Sequence, residues 1–352
     1  MGAGDADRGD HRVSGPGPRN AITDVAGVLV GQHHRLGDGW ATGTTVVLVP
    51  DGAVGAVDGR GGAPGTRETD LLDPANLVQQ VQAVCLSGGS AYGLAAADGV
   101  MRWLGEHNLG FRVGARPHEV VPIVPAAVLF DLPMSEWGNR PDAEFGRAAC
   151  QAAFDAGPGA QVEQGCVGAG TGARTGSLKG GVGTASVLVG EHTVGALAAV
   201  NAVGEAADPA TGRPWAADLG FDGEFALPSA RPADLPQAKE SRLNTTIGVV
   251  AVDAELTKAE CRRLAMAAQD GLARAVRPAH SMFDGDTVFA LATGARPLTE
   301  AAGVIGDPTR AAALDRLCAA AADAFARAMV HGLLAATTVG EVRAYRDVWG
   351  QL

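Results

Sequence analysis

The stretch Leu243-Asn244-Thr245-Thr246-Ile247-Gly248-Val249-Val250-Ala251-Val252-Asp253 decides how the rest of the chain is organised. Its apolar run from Ile247 to Val252 is rich in β-branched residues and predicts a buried strand. Thr245 directly precedes that strand. Before Thr245 lies a polar segment, 204–243, that is rich in proline and glycine and too long for an ordinary connection. These features favour a self-cleavage point at the Asn244–Thr245 bond, with 204–243 as a flexible linker.

The chemical reason for this hypothesis lies in the threonine hydroxyl. A hydroxyl is a weak nucleophile until a base removes its proton. A threonine at a chain terminus carries that base in its own α-amine, whose pKa lies near ~7.7–8.0. Before cleavage, the Thr245 hydroxyl would attack the Asn244 carbonyl and form an ester that water opens. The alternative interpretation is that Thr245 and Thr246 only begin a β-strand.

Composition excludes several classes of function. The 352-residue chain has a formal net charge of −11 and no basic stripe, which argues against nucleic acid as a partner. We find no apolar run of membrane-spanning length and no secretory signal, so we expect a cytoplasmic protein without a membrane partner. The five cysteines lie far apart without Cys-x-x-Cys spacing, which indicates neither a zinc site nor a disulfide framework.

Hydrophobic periodicity and turn residues predict alternating strands and helices. We expect a disordered tail over 1–19, a single domain over 20–352, and over 51–74 either a loop above a pocket or a long surface loop. Strands are predicted at 22–30, 44–49, 81–86, 120–131, 194–200, 247–252 and 287–293. Helices are predicted at 91–106 and 142–156, after the capping box of Thr257 and Glu260, and from Asp307 and Pro308 onward.

The junction Ser87-Gly88-Gly89-Ser90 joins a predicted strand to a predicted helix. Backbone N–H groups at a helix N-terminus favour a developing negative charge, so these four residues are candidates for an oxyanion hole. A serine-hydrolase elbow would need glycine where Tyr92 stands. We therefore interpret Ser90 as an N-cap rather than a nucleophile.

Charged residues in two further stretches are candidates for a site. The glycine-dense stretch 165–184 imitates a dinucleotide fingerprint, but no strongly hydrophobic strand leads into it and no helix pattern follows. It also imitates a phosphate loop, but Leu178 stands where a glycine must precede the lysine. Its Lys179 is instead a candidate for a buried, partnered role. Asp284 and Asp286 lie at the mouth of a predicted strand, where they could serve a site or belong to an ordinary Asp-Gly turn.

Six separated motifs, taken together, resemble the DmpA-like family of self-processing aminopeptidases, which includes the β-aminopeptidases and the nylon-oligomer hydrolases. The resemblance covers roughly residues 20–340, and the set is far more specific than any one motif. In chain order the motifs are Asn20-Ala21-Ile22-Thr23-Asp24-Val25, Cys85-Leu86-Ser87-Gly88-Gly89-Ser90-Ala91-Tyr92-Gly93-Leu94, the Lys179 loop, Asn201, Asn244-Thr245-Thr246-Ile247, and Asp284-Gly285-Asp286.

The resemblance implies a fold and an assembly. The fold is α/β (α+β), a four-layer αββα sandwich similar to N-terminal-nucleophile hydrolases. The chain would cleave itself into a large chain, 20–244, and a small chain, 245–352. The cleaved heterodimers would then associate as a homo-oligomer, a tetramer or larger.

The resemblance also implies roles for single residues. Thr245 corresponds to the nucleophile and Asn201 to a residue of the oxyanion hole, while Lys179, Asp284 and Asp286 correspond to charged residues of the nylon-oligomer hydrolase site. A tyrosine that several members place near the oxyanion corresponds to Phe130, which has no hydroxyl. Either Asn201 and backbone N–H groups then act alone, or the correspondence shifts at this point.

These implications lead to an amide hydrolase without a metal or another cofactor, acting on a small peptide or amide. Our first hypothesis is an aminopeptidase that releases N-terminal amino acids. The alternative is a hydrolase of 6-aminohexanoate (nylon) oligomers, favoured by the Asn244–Thr245 junction and the Asp284/Asp286 pair. From a different class, the chain could be an uncleaved relative that binds a small molecule in a regulatory role.

Overall fold

The computed structural model describes residues 13–229, 235, 243–298 and 308–350. Its strands are β1 (Val13–Gly15), β2 (Leu29–Gly37), β3 (Trp40–Gly59), β4 (Gly65–Arg67), β5 (Gln80–Ser87), β6 (Phe111–Arg112), β7 (Val120–Val121), β8 (Ala126–Val128), β9 (Arg174–Thr175), β10 (Leu178–Lys179), β11 (Val182–Val189), β12 (His192–Ala199), β13 (Ile247–Ala254) and β14 (Thr287–Arg296). Its α-helices are α1 (Ala96–Glu106), α2 (Ala143–Ala156), α3 (Lys258–Ala275), α4 (Pro308–Ala335) and α5 (Tyr345–Trp349).

Most strands belong to one ten-stranded sheet that bends at β3. Its order is β1-β11-β12-β13-β14-β3-β5-β8-β4, and β2 also pairs with β3. The second half of β3 pairs with β14, whereas its first half pairs with β2 and β5. The β3–β5 register breaks between Leu48 and Ala53, where Gly52 has a φ of +83° that suits glycine. The bend turns one sheet into two facing halves.

Side chains alternate between apolar layers along each strand. In β13, Val249 packs between the two sheet halves with Val47, while its neighbour Val250 packs beneath α3 and α4. In β3, Val46 and Leu48 face the opposite way, toward α1 and α2. The layers therefore run helices, sheet, sheet, helices, and the predicted αββα sandwich is confirmed.

The predicted starts of α2 and α3 are confirmed by their capping contacts, whereas α1 begins at Ala96 rather than at 91 and the predicted N-cap Asp307 of α4 lies outside the described residues. The Asp142 carboxylate accepts the N–H groups of Glu144 and Phe145 at the start of α2. Thr257 and Glu260 form the expected capping box at the start of α3. Ser90, by contrast, is not an N-cap but the first residue of the 3₁₀ turn Ser90–Ala95, which precedes α1.

Helix α4 corrects one expectation. Its residues Thr309–Ala335 are long and apolar enough to cross a membrane by length and composition alone, although we expected no such run. The helix packs against α3, β11 and β12, and 78% of the apolar window is buried inside the protein. Its hydrophobicity is therefore that of a core helix.

The N-terminal segment is more ordered than predicted. Strand β1 pairs with β11, and the Gly17 N–H donates to Ser186 Oγ (3.0 Å). The predicted disordered tail, 1–19, is therefore wrong for 13–19, while 1–12 lies outside the described residues. Side-chain acceptors satisfy the backbone here although the composition is typical of a loose tail.

The predicted linker 204–243 is also wrong over 204–229. Ala216 and Phe225 are buried in the core beneath α4, and Trp215 Nε1 donates to a backbone carbonyl (2.9 Å). Proline and glycine prevent regular secondary structure in this segment, but they do not prevent packing. Except for Leu235, residues 230–242 lie outside the described part of the chain.

Several predicted elements have different bounds. The strand predicted at 22–30 is a 3₁₀ turn over Ile22–Asp24, and β2 begins only at Leu29. Residues 51–59 continue β3 instead of beginning a loop, so only the part after Gly59 can lie over a pocket. The predicted strand 120–131 breaks into the short strands β7 and β8. Pro122 and Pro125 lie in the break, because proline has no N–H to donate to a sheet.

Candidate active site

Three strand ends meet at one edge of the sheet. Strand β12 runs antiparallel to β13, and β14 runs parallel to β13, with Ala199, Ile247 and Thr287 in adjacent register. The residues after β12 and the residues before β13 and β14 therefore lie at the same edge. This topology brings together Asn201, Asn244, Thr245, Asp284 and Asp286, which are far apart in sequence.

Thr245 lies at the centre of this edge, with a side chain that is only 4% exposed. Its hydroxyl Oγ1 contacts the carbonyl oxygen of Asn244 and accepts the N–H of Gly285 at 3.0 Å. The Thr245 N–H donates to the backbone oxygen of Asn201 at 2.6 Å. The nucleophile candidate is thus held against the carbonyl that it would have to attack.

The two carboxylates are each 1% exposed and fully engaged. Asp286 Oδ1 accepts the N–H of Thr246 (2.9 Å), and Asp286 Oδ2 accepts the N–H and Nδ1 of His280 (3.1 and 3.0 Å). Asp284 Oδ2 accepts the Ser281 hydroxyl at 2.6 Å. Burial and the nearby charge of Asp286 raise the pKa of Asp284.

A short glycine-rich loop, 60–64, covers these carboxylates. The Ala63 N–H donates to the Asp284 backbone oxygen (2.8 Å), and the Arg60 N–H donates to the Asp286 backbone oxygen (3.0 Å). A Cβ at Gly61 would lie 2.2 Å from the Asp284 backbone oxygen, so only glycine fits there. This part of the predicted loop therefore forms a wall of the site.

Asn201 connects Thr245 to a second group of residues. Its Oδ1 accepts the N–H of Arg174 (2.8 Å), and its Nδ2 donates to the backbone oxygen of Phe130 (3.2 Å). Phe130 therefore contributes a carbonyl to the site rather than its ring. An oxyanion role for Asn201 requires Nδ2 to exchange this carbonyl for the developing charge.

The backbone of the Ser87–Ser90 junction is occupied by other acceptors. The Gly88 N–H donates to Gly43 O (2.9 Å), the Gly89 N–H to Asp131 Oδ1 (2.6 Å), and the Ser90 N–H to a backbone oxygen of Leu129 (2.9 Å). Ser87 Oγ pairs with a threonine hydroxyl at 2.8 Å. Strand pairing and a buried carboxylate already use these donors, so the oxyanion role stays a prediction that requires them to exchange their present acceptors.

Lys179 lies behind Asn201 and is fully buried. Its Nζ donates to the backbone oxygens of Gly170 (3.0 Å) and Gly180 (2.9 Å). Burial lowers the pKa of Lys179 to about 8, against the opposing effects of Cys166 and Asp131. Lys179 is connected to Thr245 through two other residues. Lys179 pairs with Arg174 between β10 and β9, and the Arg174 N–H donates to Asn201, whose backbone oxygen accepts the Thr245 N–H.

Asp131 is a buried carboxylate whose pKa the charge of Lys179 lowers, and the sequence analysis missed it. Its Oδ2 accepts the Thr42 hydroxyl at 2.7 Å, in addition to the Gly89 N–H on Oδ1. Burial raises its pKa to about 6. The sequence feature that could have indicated Asp131 is its position at the end of the apolar run 120–131, where a charged residue is unexpected.

His280, Ser281 and the Gly285 N–H were also missed as site groups. All three lie in the stretch that carries Asp284 and Asp286, so proximity in sequence could have indicated them.

The described residues contain no group of three His, Cys, Asp or Glu side chains that could hold a metal ion. The site combines a hydroxyl beside a carbonyl with buried carboxylates and main-chain N–H donors. These are the groups that acyl transfer requires.

Comparison with known proteins agrees with this chemistry. The sequence profile of peptidase family S58 matches residues 20–346. The chain belongs to peptidase family S58. Over 345 residues it is 57% identical to an uncharacterized aminopeptidase of Mycobacterium leprae, covering 93% of this chain and 94% of that protein. Over 312 residues it is 31% identical to a 6-aminohexanoate-oligomer endohydrolase of Kocuria sp., covering 80% and 82%.

A solved structure shows the same fold. It is the l-aminopeptidase d-ala-esterase/amidase of Ochrobactrum anthropi, described as a variant of the Ntn (N-terminal-nucleophile) hydrolase fold. Its TM-score is 0.67 at 23% identity, covering 97% of this chain and 93% of that one. The predicted family and fold class are confirmed, and this S58 chain is a hydrolase of peptide or amide bonds.

Proposed function

We propose that this S58 chain cleaves itself between Asn244 and Thr245 and then uses Thr245 as an N-terminal nucleophile in an aminopeptidase. The observation that carries the proposal is the contact between Thr245 Oγ1 and the Asn244 carbonyl. Gly285 N–H and Asn201 O hold the hydroxyl and the amide of Thr245 from either side. The 57% identity to a protein named an aminopeptidase supports the substrate class.

Self-cleavage requires one acyl shift and one hydrolysis. Thr245 Oγ1 attacks the Asn244 carbonyl carbon, the C–N bond breaks, and the hydroxyl proton passes to the departing Thr245 nitrogen. Water then opens the Asn244–Thr245 ester. The products are an Asn244 carboxylate and a free Thr245 amine beside its own hydroxyl.

Turnover repeats this chemistry on a substrate. The Thr245 amine accepts the hydroxyl proton while Oγ1 attacks the substrate carbonyl, and the same proton then passes to the leaving amine. Water hydrolyses the resulting acyl-enzyme and releases the acid. Asp284 and Asp286 stabilise the transient ammonium of Thr245 by their charge, and Asn201 Nδ2 is the oxyanion donor, which is typically worth ~2.7–4 kcal/mol.

The second candidate function is hydrolysis of 6-aminohexanoate oligomers. Two observations favour it: the Asn244–Thr245 junction beside a buried Asp284/Asp286 pair, and the 31% identity to a 6-aminohexanoate-oligomer endohydrolase. Side-by-side turnover of aminoacyl p-nitroanilides and 6-aminohexanoate oligomers separates the two substrates. A clear preference for the oligomers would replace the aminopeptidase assignment and leave the mechanism unchanged.

The test of the mechanism is denaturing intact mass with N-terminal sequencing of wild type, Thr245→Ser and Thr245→Val. We expect wild type and Thr245→Ser to give fragments 1–244 and 245–352, the smaller beginning at residue 245. Thr245→Val matches threonine in shape but has no hydroxyl, so it should stay uncut and lose about 10⁴-fold or more in amide hydrolysis. Cleavage or hydrolysis by Thr245→Val would refute the proposal.

A further inference from the structure

His280 bonds to the carboxylate next to the candidate nucleophile. Its main-chain N–H and its ring Nδ1 both lie against Asp286 Oδ2, at 3.1 and 3.0 Å. A carboxylate only accepts hydrogen bonds, so Nδ1 carries the hydrogen in this contact. The other ring nitrogen, Nε2, is buried and has no hydrogen-bond partner among the described residues. Among the described residues, the His280 ring therefore makes its hydrogen bond to Asp286 alone.

The other oxygen of the same carboxylate leads directly to the reacting residue. Asp286 Oδ1 accepts the N–H of Thr246, the residue after Thr245. The main chain of Asp286 is fixed independently by the Arg60 N–H on its carbonyl oxygen, at 3.0 Å. Rotation of the Asp286 carboxylate about its side-chain bonds is opposed by the N–H of Thr246 on Oδ1 and by the N–H and Nδ1 of His280 on Oδ2. Of these three donors, Nδ1 is the one that a side-chain substitution can remove.

The backbone of His280 shows that this position is built for the contact. Its φ is +56°, in the left-handed region where non-glycine residues are uncommon and Asn, Asp and His are enriched. The carboxylate partner is 1% exposed, and the His280 side chain is itself mostly buried. This conformation aims both donors of one residue at one oxygen, and such a backbone outlier motivates a hypothesis of function.

We propose that His280 is a positioning residue for the reaction at Thr245, acting through the Asp286 carboxylate. The proposal rests on the proposed function of Thr245. His280 Nδ1 sets the orientation of the Asp286 carboxylate, and Asp286 sets the direction of the Thr245–Thr246 peptide through Oδ1. Because misplacement of a reacting group by about 1 Å can cost ~10²-fold in rate, loss of this donor lowers kcat and leaves substrate affinity intact.

The test compares His280→Gly with His280→Asn. Both residues accept a positive φ, so neither strains the backbone, and the main-chain N–H remains in each. Only asparagine carries a side-chain N–H at the position of Nδ1. We expect His280→Gly to lose about 10- to 100-fold in kcat with KM within about 3-fold of wild type, and His280→Asn to recover most of that loss.

A second loss variant protects the test against misfolding. His280→Ala also lacks a side-chain donor but, unlike glycine, adds no backbone freedom to the stretch. It should fall at or below His280→Gly in kcat. Thermal unfolding of each variant is measured in parallel, together with the fraction cut at Asn244–Thr245, which counts the active sites.

Equal kcat in wild type and His280→Gly would overturn the proposal. Equal losses in His280→Gly and His280→Asn would also overturn it, since the donor would then be irrelevant. Failure of the proposed function looks different, because Thr245→Val would then retain cleavage or hydrolysis whatever stands at position 280.

Discussion

Two buried lysines show how differently one side chain can be used in this fold. Only three of the 28 basic residues are lysines, and Lys179 and Lys258 are both buried. The Lys258 ammonium, at the start of α3, donates to four backbone oxygens of one loop, those of Leu71, Asp73, Asn76 and Val78, at 2.7–3.3 Å. The Lys179 ammonium donates to two backbone oxygens, and the charge of a buried carboxylate, Asp131, raises its pKa against the effect of burial.

The difference lies in what each lysine holds in place. Lys258 fastens the loop 71–78 to α3, and that loop is remote from the contacts of Thr245. Lys179 is bound to the glycine-rich stretch that packs behind Asn201, and its charge also favours the ionised form of Asp131, so its removal disturbs both the fold and the site. A compact ammonium suits both places because it fits between carbonyl oxygens where a planar guanidinium does not.

Lys179→Met gives the largest expected effect in this comparison. It leaves the buried backbone oxygens of Gly170 and Gly180 without their donor, and each unpaired buried group costs about 1–3 kcal/mol in the free energy of unfolding. It also removes the charge that favours the ionised form of Asp131. We also expect kcat/KM to fall, because Arg174 and Asn201 lose support. Urea denaturation and steady-state kinetics measure the two losses.

The double variant Lys179→Met/Asp131→Asn sharpens this prediction. Asparagine keeps an acceptor for the Gly89 N–H or the Thr42 hydroxyl but removes the charge, so part of the lost stability should return. If the double variant is less stable than Lys179→Met by the full cost of Asp131→Asn alone, the two residues do not interact.

Lys258→Met is the matched substitution at the other lysine and has a smaller expected effect. The loss of hydrogen bonds from a charged donor costs about 1.5–3 kcal/mol in the free energy of unfolding. The loss is local, so amide exchange in 71–78 should accelerate while kcat/KM stays within about 3-fold of wild type. A drop in kcat/KM like that of Lys179→Met would remove the distinction between the two lysines.

The sequence was sufficient for the part of the site that lies at strand ends. Thr245, Asp284 and Asp286 each stand directly before an apolar strand, and Asn201 directly follows one. Parallel and antiparallel pairing of three neighbouring strands then brings them together. Periodicity locates such positions, and the family resemblance supplied their roles, which remain proposals.

Residues whose role depends on tertiary contacts could not be predicted in this way. Asp131 becomes important only because folding brings it under the influence of the Lys179 charge, and His280 only because its backbone turns both donors onto Asp286. The prediction that 204–229 is a flexible linker was wrong for a related reason. Its order comes from burial of Phe225 and from contacts such as the Glu224–Arg327 ion pair (2.7 Å), which leave no periodic pattern in the sequence.

The pH dependence of stability gives the smallest effect and separates Lys179 from its surroundings. Burial lowers the pKa of Lys179 from 10.5 to about 8. Below about pH 8 both the folded and the unfolded chain hold this proton, so it adds no slope. Between about pH 8 and about 10.5 the unfolded chain holds the proton and the folded chain does not, so the free energy of unfolding rises with pH.

Lys179→Met lacks this titration, whereas the cysteines and tyrosines titrate in both proteins. The difference in the free energy of unfolding between wild type and Lys179→Met should therefore widen from pH 8 to pH 10, by at most about 1.4 kcal/mol per pH unit. Urea denaturation at pH 7, 8, 9 and 10 measures this difference.

Asp131 gives the opposite sign at acid pH, because burial raises its pKa from 3.8 to about 6. Between about pH 4 and about pH 6 the folded chain holds this proton and the unfolded chain does not. The free energy of unfolding of wild type, relative to that of Asp131→Asn, should therefore fall as pH rises through this range. If the difference in the free energy of unfolding between wild type and variant stays constant in both pH ranges, water reaches Lys179 and Asp131 and their pKa values are not shifted. Lys179 and Lys258 would then differ only in the backbone oxygens that they bind.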